Sequence, residues 1–269
     1  MPAQQIVFCQ DSEKSDWDNI SKIISYALEN QHFSMVYQPL ISVNTGKIVG
    51  FESLVRCQSP KFGVISPADF IPCAEQSGQI LELGNWIFQQ ALLDLKCMLN
   101  HGLSDICLSL NVSPVQLLNS DIFEQIMSLL HTFSIPPSAI KLELTETALI
   151  NNPQKIANIF NAFKREGVQV WLDDFGTGFA SLSLLRKFNI DGLKIDRSFV
   201  DGIDNNNDDF TLCSAVIAMA QRLGLHIVAE GVETENQLQI LSQLGCDVVQ
   251  GYLLGKPNTL GYNLEQWAL

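Results

Sequence analysis

At 269 residues, 46% of them hydrophobic, the chain has the length of one large domain and enough apolar content to bury a core. A formal net charge of −13 excludes broad, sequence-independent binding to nucleic acid, which depends on Lys and Arg neutralising phosphates. No apolar run approaches the roughly 18 residues that span a bilayer, so no membrane segment is expected. The polar, acidic opening is unlike a signal peptide, and seven cysteines without a C-x-x-C pair read as reduced thiols, so the expected location is cytoplasmic. Cys97, Cys107, Cys213 and Cys246 sit among apolar residues and read as small buried hydrophobes. The acidic excess by itself reads as a solubility device. An anionic substrate would need a local positive centre, which bound metal ions supply.

Met1 to Ser15 carries little pattern. Asp16 to Asn30 has helical spacing, with Trp17, Ile20, Ile23 or Ile24, and Leu28 on one side and Ser15 or Asp16 placed to cap it. Phe33 to Val43 alternates as a strand does, Asn44-Thr45-Gly46 supplies a turn, and Lys47 to Arg56 returns as a hairpin partner. A loop with Pro60, Gly63 and Pro67 leads to a helix over Pro67 to Gln76 and a longer one over Ile80 to Asn100. The rhythm then becomes regular. Strands end at Leu110-Asn111, Leu142-Glu143, Leu172-Asp173, Lys194-Ile195, Ala229-Glu230 and Val249-Gln250. Helical spacing fills Pro114 to Leu130, Pro153 to Glu166, Ser181 to Lys187, Phe210 to Leu223 and Glu235 to Leu244. Such alternation implies a parallel sheet, and its repetition favours a closed barrel. The expected fold is an α/β, modified TIM-type (β/α)8 barrel that departs from the pattern in its N-terminal β-hairpin.

The most informative stretch is Val168 to Gly178, V-Q-V-W-L-D-D-F-G-T-G. Neighbouring strand side chains point to opposite faces, so Asp173 and Asp174 share a site only if the backbone turns between or just after them. Gly176 and Gly178 allow that turn. Two carboxylates forced together repel unless a proton or a cation is shared. Taken alone, the pair reads more readily as an Asp-Gly turn at a strand end. Yet Asn111, Glu143, Asp173, Asp174, Lys194, Glu230 and Gln250 all fall at the carboxyl ends of expected strands, which in such a barrel form one mouth. Any one of them would pass for a loop cap, and Lys194 with Glu230 for a salt bridge closing the barrel top; seven in register point to a site. Oxygen donors without clustered histidines favour Mg²⁺ or Mn²⁺ over zinc.

With these residues the chain resembles the EAL-domain phosphodiesterases, which cleave the bacterial messenger cyclic di-GMP to a linear dinucleotide. The resemblance runs from about Phe33 to Pro257. It is carried by Tyr37-Gln38-Pro39, Glu52-Ser53-Leu54-Val55-Arg56, Pro67-x-x-Phe70-Ile71-Pro72-x-x-Glu75, Asn111-x-Ser113-Pro114 and Glu143-Leu144-Thr145-Glu146. It continues through Asp173-Asp174-Phe175-Gly176-Thr177-Gly178, Lys194-Ile195-Asp196, Glu230-Gly231-Val232-Glu233 and Gln250-Gly251-Tyr252. By motif, Glu52, Asn111, Glu143 and Asp173 resemble the ligands of a first metal, with Asp173 bridging to a second held also by Asp174. Lys194 and Glu230 are similar to the pair that orients and deprotonates the attacking water. Arg56 resembles the phosphate contact, Gln38, Glu233 and Gln250 those that shape the dinucleotide site, and Glu146 the brace of the Asp173–Gly178 loop.

The resemblance further implies a homodimer through the helical side of the barrel. Residues 1–30 resemble a linker to an upstream sensor or cyclase-like domain, with the phosphodiesterase barrel over 31–269. Three positions depart from the family pattern: Ser53 in the Glu-Ser-Leu signature, Cys57 where an aromatic is usual, and Ala180 in place of a serine. The other reading carried forward is a non-catalytic cyclic di-GMP receptor. An unrelated barrel enzyme abstracting a proton beside a carbonyl is a third.

Overall fold

A computed structural model describes residues 13–119, 121–149, 152–176, 185 and 188–268, without the side chains of 13–18 and 147. The expected helix over Ser181 to Lys187, except Leu185, falls outside these residues, as do Gly178, Ala180 and the Trp17 side chain. Helix α1 (Glu13–Glu29) leads into the hairpin β1 (Phe33–Ser42) and β2 (Ile48–Ser59). A short strand β3 (Gly63–Ile65), read from the sequence as loop, pairs on the end of β2. Helices α2 (Pro67–Ser77) and α3 (Ile80–Asn100) follow. Parallel strands β4 (Cys107–Asn111), β5 (Ile140–Thr145), β6 (Gln169–Phe175), β7 (Gly192–Ile195), β8 (His226–Ala229) and β9 (Val248–Val249) then succeed one another around the sheet. Between them lie α4 (Pro114–Asn119), α5 (Ile122–Phe133), α6 (Pro153–Glu166), α7 (Arg197–Val200), α8 (Asn207–Leu223) and α9 (Glu235–Leu244), and α10 (Leu260–Trp267) ends the fold.

The sheet closes because β1 pairs with both β2 and β9. β1 is antiparallel to each, so the hairpin is where this TIM-type barrel breaks the all-parallel rule, as the sequence leads one to expect. Helix ends follow local chemistry. Ser66 caps α2 ahead of Pro67, Thr234 and Gln237 form a capping box on α9, and Gly167 and Gly245 end α6 and α9 in the left-handed conformation.

Three expectations are corrected. The run from Pro114 to Leu130 is two helices, not one. α8 begins at Asn207 because Asn206 caps it, three residues before the expected Phe210. α1 begins at Glu13, which places Ser15 and Asp16 inside the helix and not at its cap. Among the thiols, Cys213 and Cys246 are buried, and burial pushes them up to about 11 and about 12, whereas Cys97 and Cys107 are only half-buried.

Strand alternation sorts the interior. Leu108, Leu110, Ile140, Leu142, Leu144, Val170, Leu172, Leu193, Ile195 and Ile227 face outward into one large apolar core beneath the helices. The opposite faces fill the barrel. Its floor is a small apolar cluster of Leu40, Trp171 and Val228. Trp171 presses so closely on β7 that a Cβ at Gly192 would lie 2.5 Å from its ring, so only glycine fits there.

Candidate active site

Above the floor the barrel interior turns charged. The Lys194 side chain, 1% exposed, points inward from β7 into a ring of carboxylates. Its Nζ lies 2.5 Å from Glu230, 2.8 Å from Glu143, 3.3 Å from Asp173 and 3.4 Å from Glu52. Asn111 donates through Nδ2 to Glu52 Oε1 at 2.9 Å, which leaves its carbonyl oxygen as the donor for a cation. Gln250 donates to both Gln38 Oε1 (2.9 Å) and Glu52 Oε2 (2.7 Å), while its own Oε1 is buried without a hydrogen-bond partner among the described residues. Gln38 in turn donates to the Gly255 carbonyl at 3.1 Å. The structure thus gathers Gln38, Glu52, Asn111, Glu143, Asp173, Asp174, Lys194, Glu230 and Gln250 at one mouth.

Asp173 and Asp174 meet by a means the sequence only half disclosed. The β6–β7 register shifts between Leu172 and Phe175, and Asp174 itself takes a left-handed φ of +53°. Asp174 N donates to Asp173 Oδ1 at 3.0 Å. The turn begins at this aspartate, a residue that tolerates the conformation better than most, before Gly176 continues it at φ +103°. A Cβ at Gly176 would strike the Phe199 ring at 2.5 Å. Glu146, buried at the start of a 3-10 turn just past β5, accepts from Gly176 N at 2.8 Å. It reaches the loop because the chain has left the strand at this point.

The electrostatics follow from crowding. Burial pushes Glu230 up to about 8 and Glu143 up to about 7; Lys194 opposes both shifts and neighbouring carboxylates add to them. Burial, then Asp173 and Asp196, push Asp174 up to about 6. Burial also works to raise Glu52, but Lys194 and the bonds from Gln250 and Asn111 prevail and hold it below the ordinary value. Burial works against the Lys194 charge, yet Asp173, Glu143, Glu230 and Glu52 hold it well above normal. Five carboxylates around one ammonium leave four negative charges when all are ionised, the charge of two divalent cations. The ligand atoms of Glu52, Glu143 and Asp173 lie within 4.8 Å of one another, as do those of Asp173, Asp174 and Glu230. This cluster of oxygen donors fits hard metal ions.

A cleft of about 360 Å³ opens over the cluster. Its rim holds Arg197 and Tyr252, two residues that sequence reasoning did not single out as lining the site. Arg197 Nη2 pairs with Glu233 Oε1 at 3.0 Å, which brings Glu233 to the mouth. The available signal was position, since Arg197 directly follows the Lys194-Ile195-Asp196 motif. Arg56 lines an adjoining cavity of about 300 Å³ that runs from Asn111 and Asp174 beneath α2 and α3. Ser53 faces away from the cluster, donating to the Ser109 carbonyl at 2.7 Å. Cys57 is buried against Phe33 and Ile65, away from the mouth.

The family model for the EAL domain matches residues 21–257. The chain belongs to the EAL-domain family. It is 36% identical over 231 residues to the bifunctional diguanylate cyclase/cyclic di-GMP phosphodiesterase MucR of Pseudomonas aeruginosa, covering 86% of this chain and 34% of MucR. It is 38% identical over 231 residues to the cyclic di-GMP phosphodiesterase PdeR of Escherichia coli, covering 86% and 35%. The chain thus spans about a third of the length of these curated relatives. Among solved structures, the PaMucR phosphodiesterase in complex with c-di-GMP superposes with a TM-score of 0.86 at 34% identity, covering 91% of this chain and 99% of that one. The EAL enzyme Bd1971, bound to cAMP and cyclic-di-GMP, gives 0.91 at 32% identity, covering 96% and 70%.

Proposed function

We propose that this EAL domain hydrolyses cyclic di-GMP to linear pGpG with two divalent cations, Mg²⁺ or Mn²⁺, as cofactors. One observation carries the reading: two overlapping groups of carboxylates share Asp173 beside a buried lysine at a mouth short of positive charge. The relatives named as cyclic di-GMP phosphodiesterases support the substrate and the reaction.

In this reading Glu52, Asn111, Glu143 and Asp173 hold one ion, and Asp173 with Asp174 holds the other. Bound there, the ions supply positive charge and Lewis acidity against the phosphate oxygens during in-line displacement. Glu230 accepts the proton of the attacking water, as its place beside Lys194 at the mouth allows. The water oxygen bonds to phosphorus while the 3′-oxygen leaves with the bonding pair and takes a proton from solvent. Lys194, bonded to Glu230 and Glu143 at once, aims the base and offsets charge that builds on the phosphate. Arg56 offers a guanidinium fork to phosphate oxygens. Gln38, Glu233 and Gln250 shape the dinucleotide site, and Glu146 braces the turn that presents Asp174.

The same reading treats residues 1–30 as a connector to an upstream sensor or cyclase-like domain, with the barrels paired as a homodimer in the cytoplasm. Among the described residues no helix is long and apolar enough to cross a membrane. The deciding experiment is chromatography of cyclic di-GMP incubated with the purified chain and Mg²⁺ or Mn²⁺, with and without chelator. Linear product that disappears on chelation is expected, and Glu230→Gln should bind substrate yet lose turnover by ~10² or more. Tight binding without turnover would make the domain a receptor. A Glu230→Gln protein as fast as wild type would return Lys194–Glu230 to a salt bridge closing the barrel.

A further inference from the structure

The barrel holds a second buried lysine that the mechanism above does not use. Lys141 lies two residues before Glu143 on the inner face of β5, about 7 Å from it along the strand. The register brings it into the cluster's foundations. Ser109 pairs with Lys141 on one side and with Glu52 on the other, while Trp171 pairs with Glu143. The Lys141 ammonium sits over the Trp171 ring, 4.4 Å from its centroid. Lys141 is 6% exposed, and among the described residues its ammonium makes no ion pair or hydrogen bond. Burial lowers its proton affinity and Lys194 adds to the effect, while Cys107 and then Glu143 oppose it. A ring face repays part of the desolvation of an ammonium, but an apolar side chain would fill the same space on the barrel floor without that cost.

Charge gives the lysine a purpose. The cluster above it, with Lys194 counted, carries four negative charges when ionised, and two divalent cations bring it to neutrality. With Lys141 counted as well, the cation-free cluster is short of three charges and the filled one carries one in excess. Lys141 thus favours the cation-free state and opposes the filled one. We propose that Lys141 is a fixed counter-charge beneath the carboxylate cluster that lowers its affinity for divalent cations. The proposal rests on the reading of the cluster as a two-cation centre. Its consequence is a centre whose occupancy follows the supply of divalent cation and is not permanently saturated.

The test is calorimetric titration of the metal-free chain with Mn²⁺, for wild type, Lys141→Met, Lys141→Gln and Lys141→Arg. A unit charge removed about 10 Å from a dication, at an effective dielectric constant of about 40, changes affinity by about tenfold or more. Both neutral variants should therefore bind Mn²⁺ at least about tenfold tighter, and Lys141→Arg should stay close to wild type. A purely structural lysine would lower the melting temperature of the neutral variants and leave Mn²⁺ affinity where it was. That result, or weaker binding in Lys141→Gln, overturns the proposal while the metal centre stands. Folded wild-type protein that takes up no Mn²⁺ overturns both. The two neutral variants differ in polarity, so a failure of one to fold leaves the other to decide.

Discussion

The two faces of the same strands are built on opposite terms. On β5, Ile140, Leu142 and Leu144 face out into the apolar core, while Lys141, Glu143 and Thr145 face into the barrel. The outer face gains stability by removing apolar surface from water, roughly 1.5–3 kcal/mol for each large side chain fully buried. The inner face, above its Trp171 floor, gathers like charges at a cost that protons or cations must relieve. One alternation of side chains thus gives the outer face the work of stability and the inner face the chemistry.

The sharpest way to break this division is to cross the two faces. Asp173→Asn removes the carboxylate common to both groups, so turnover should vanish. Without metal its melting temperature should hold or rise, since one like charge has left a crowded cluster. Leu142→Ala should do the reverse, costing about 2–5 kcal/mol of stability while the folded fraction keeps its kcat. Thermal melts and turnover measured on both proteins decide the matter. A strongly destabilised Asp173→Asn, or a well-folded but inactive Leu142→Ala, would mean that the faces are not separable.

Smaller in effect is the pH dependence of the metal-free protein. Glu143, Asp174 and Glu230 are raised in the folded state to about 7, about 6 and about 8. Between their unfolded values near 4 and these figures, the folded state binds more protons than the unfolded one. Stability should therefore fall as pH rises through 5 to 8. Glu52, held low, acts below that window, and Lys194, held high, acts above it. Divalent cation should flatten the slope, and its own apparent affinity should increase with pH as protons are displaced. Melting temperatures across pH 5 to 8, with and without Mn²⁺, check both signs. A metal-free protein more stable at pH 8 than at pH 6 would contradict the crowding.

What the sequence disclosed and what it withheld divide along the same line. Barrel and mouth were legible because period-2 alternation, helix starts such as Pro114 and Pro153, and acids at strand ends are local signals. The closure through β1 needed pairing partners far apart in the chain. The turn at Asp174 was assigned to glycines, because an aspartate in the left-handed region leaves no mark in the sequence. β3 is only three residues long, too short for alternation to register. Lys141 passed unnoticed although it stands at the same period from Glu143 that marks the face. Only the cross-strand register sets it over Trp171 and beside the row that leads to Glu52.

The finest test of the comparison lies where the two faces meet, at Glu146. It follows the last residue of β5, is buried, and accepts from Gly176 N at 2.8 Å across the turn that carries Asp174. A hydrogen bond to a charged acceptor contributes about 1.5–3 kcal/mol, and here that energy holds a loop whose aspartate is already in an uncommon backbone region. Glu146→Ala should therefore reduce turnover by about tenfold or more through misplacement of Asp174, with a weaker second step in a Mn²⁺ titration. Glu146→Gln keeps an oxygen that can accept from the same N–H, and should recover most of the loss. A residue that served only to stabilise the barrel would lower the melting temperature in both variants alike and leave the second Mn²⁺ step unchanged. Recovery of the second step together with turnover in Glu146→Gln is the outcome that ties this buried carboxylate to the position of Asp174.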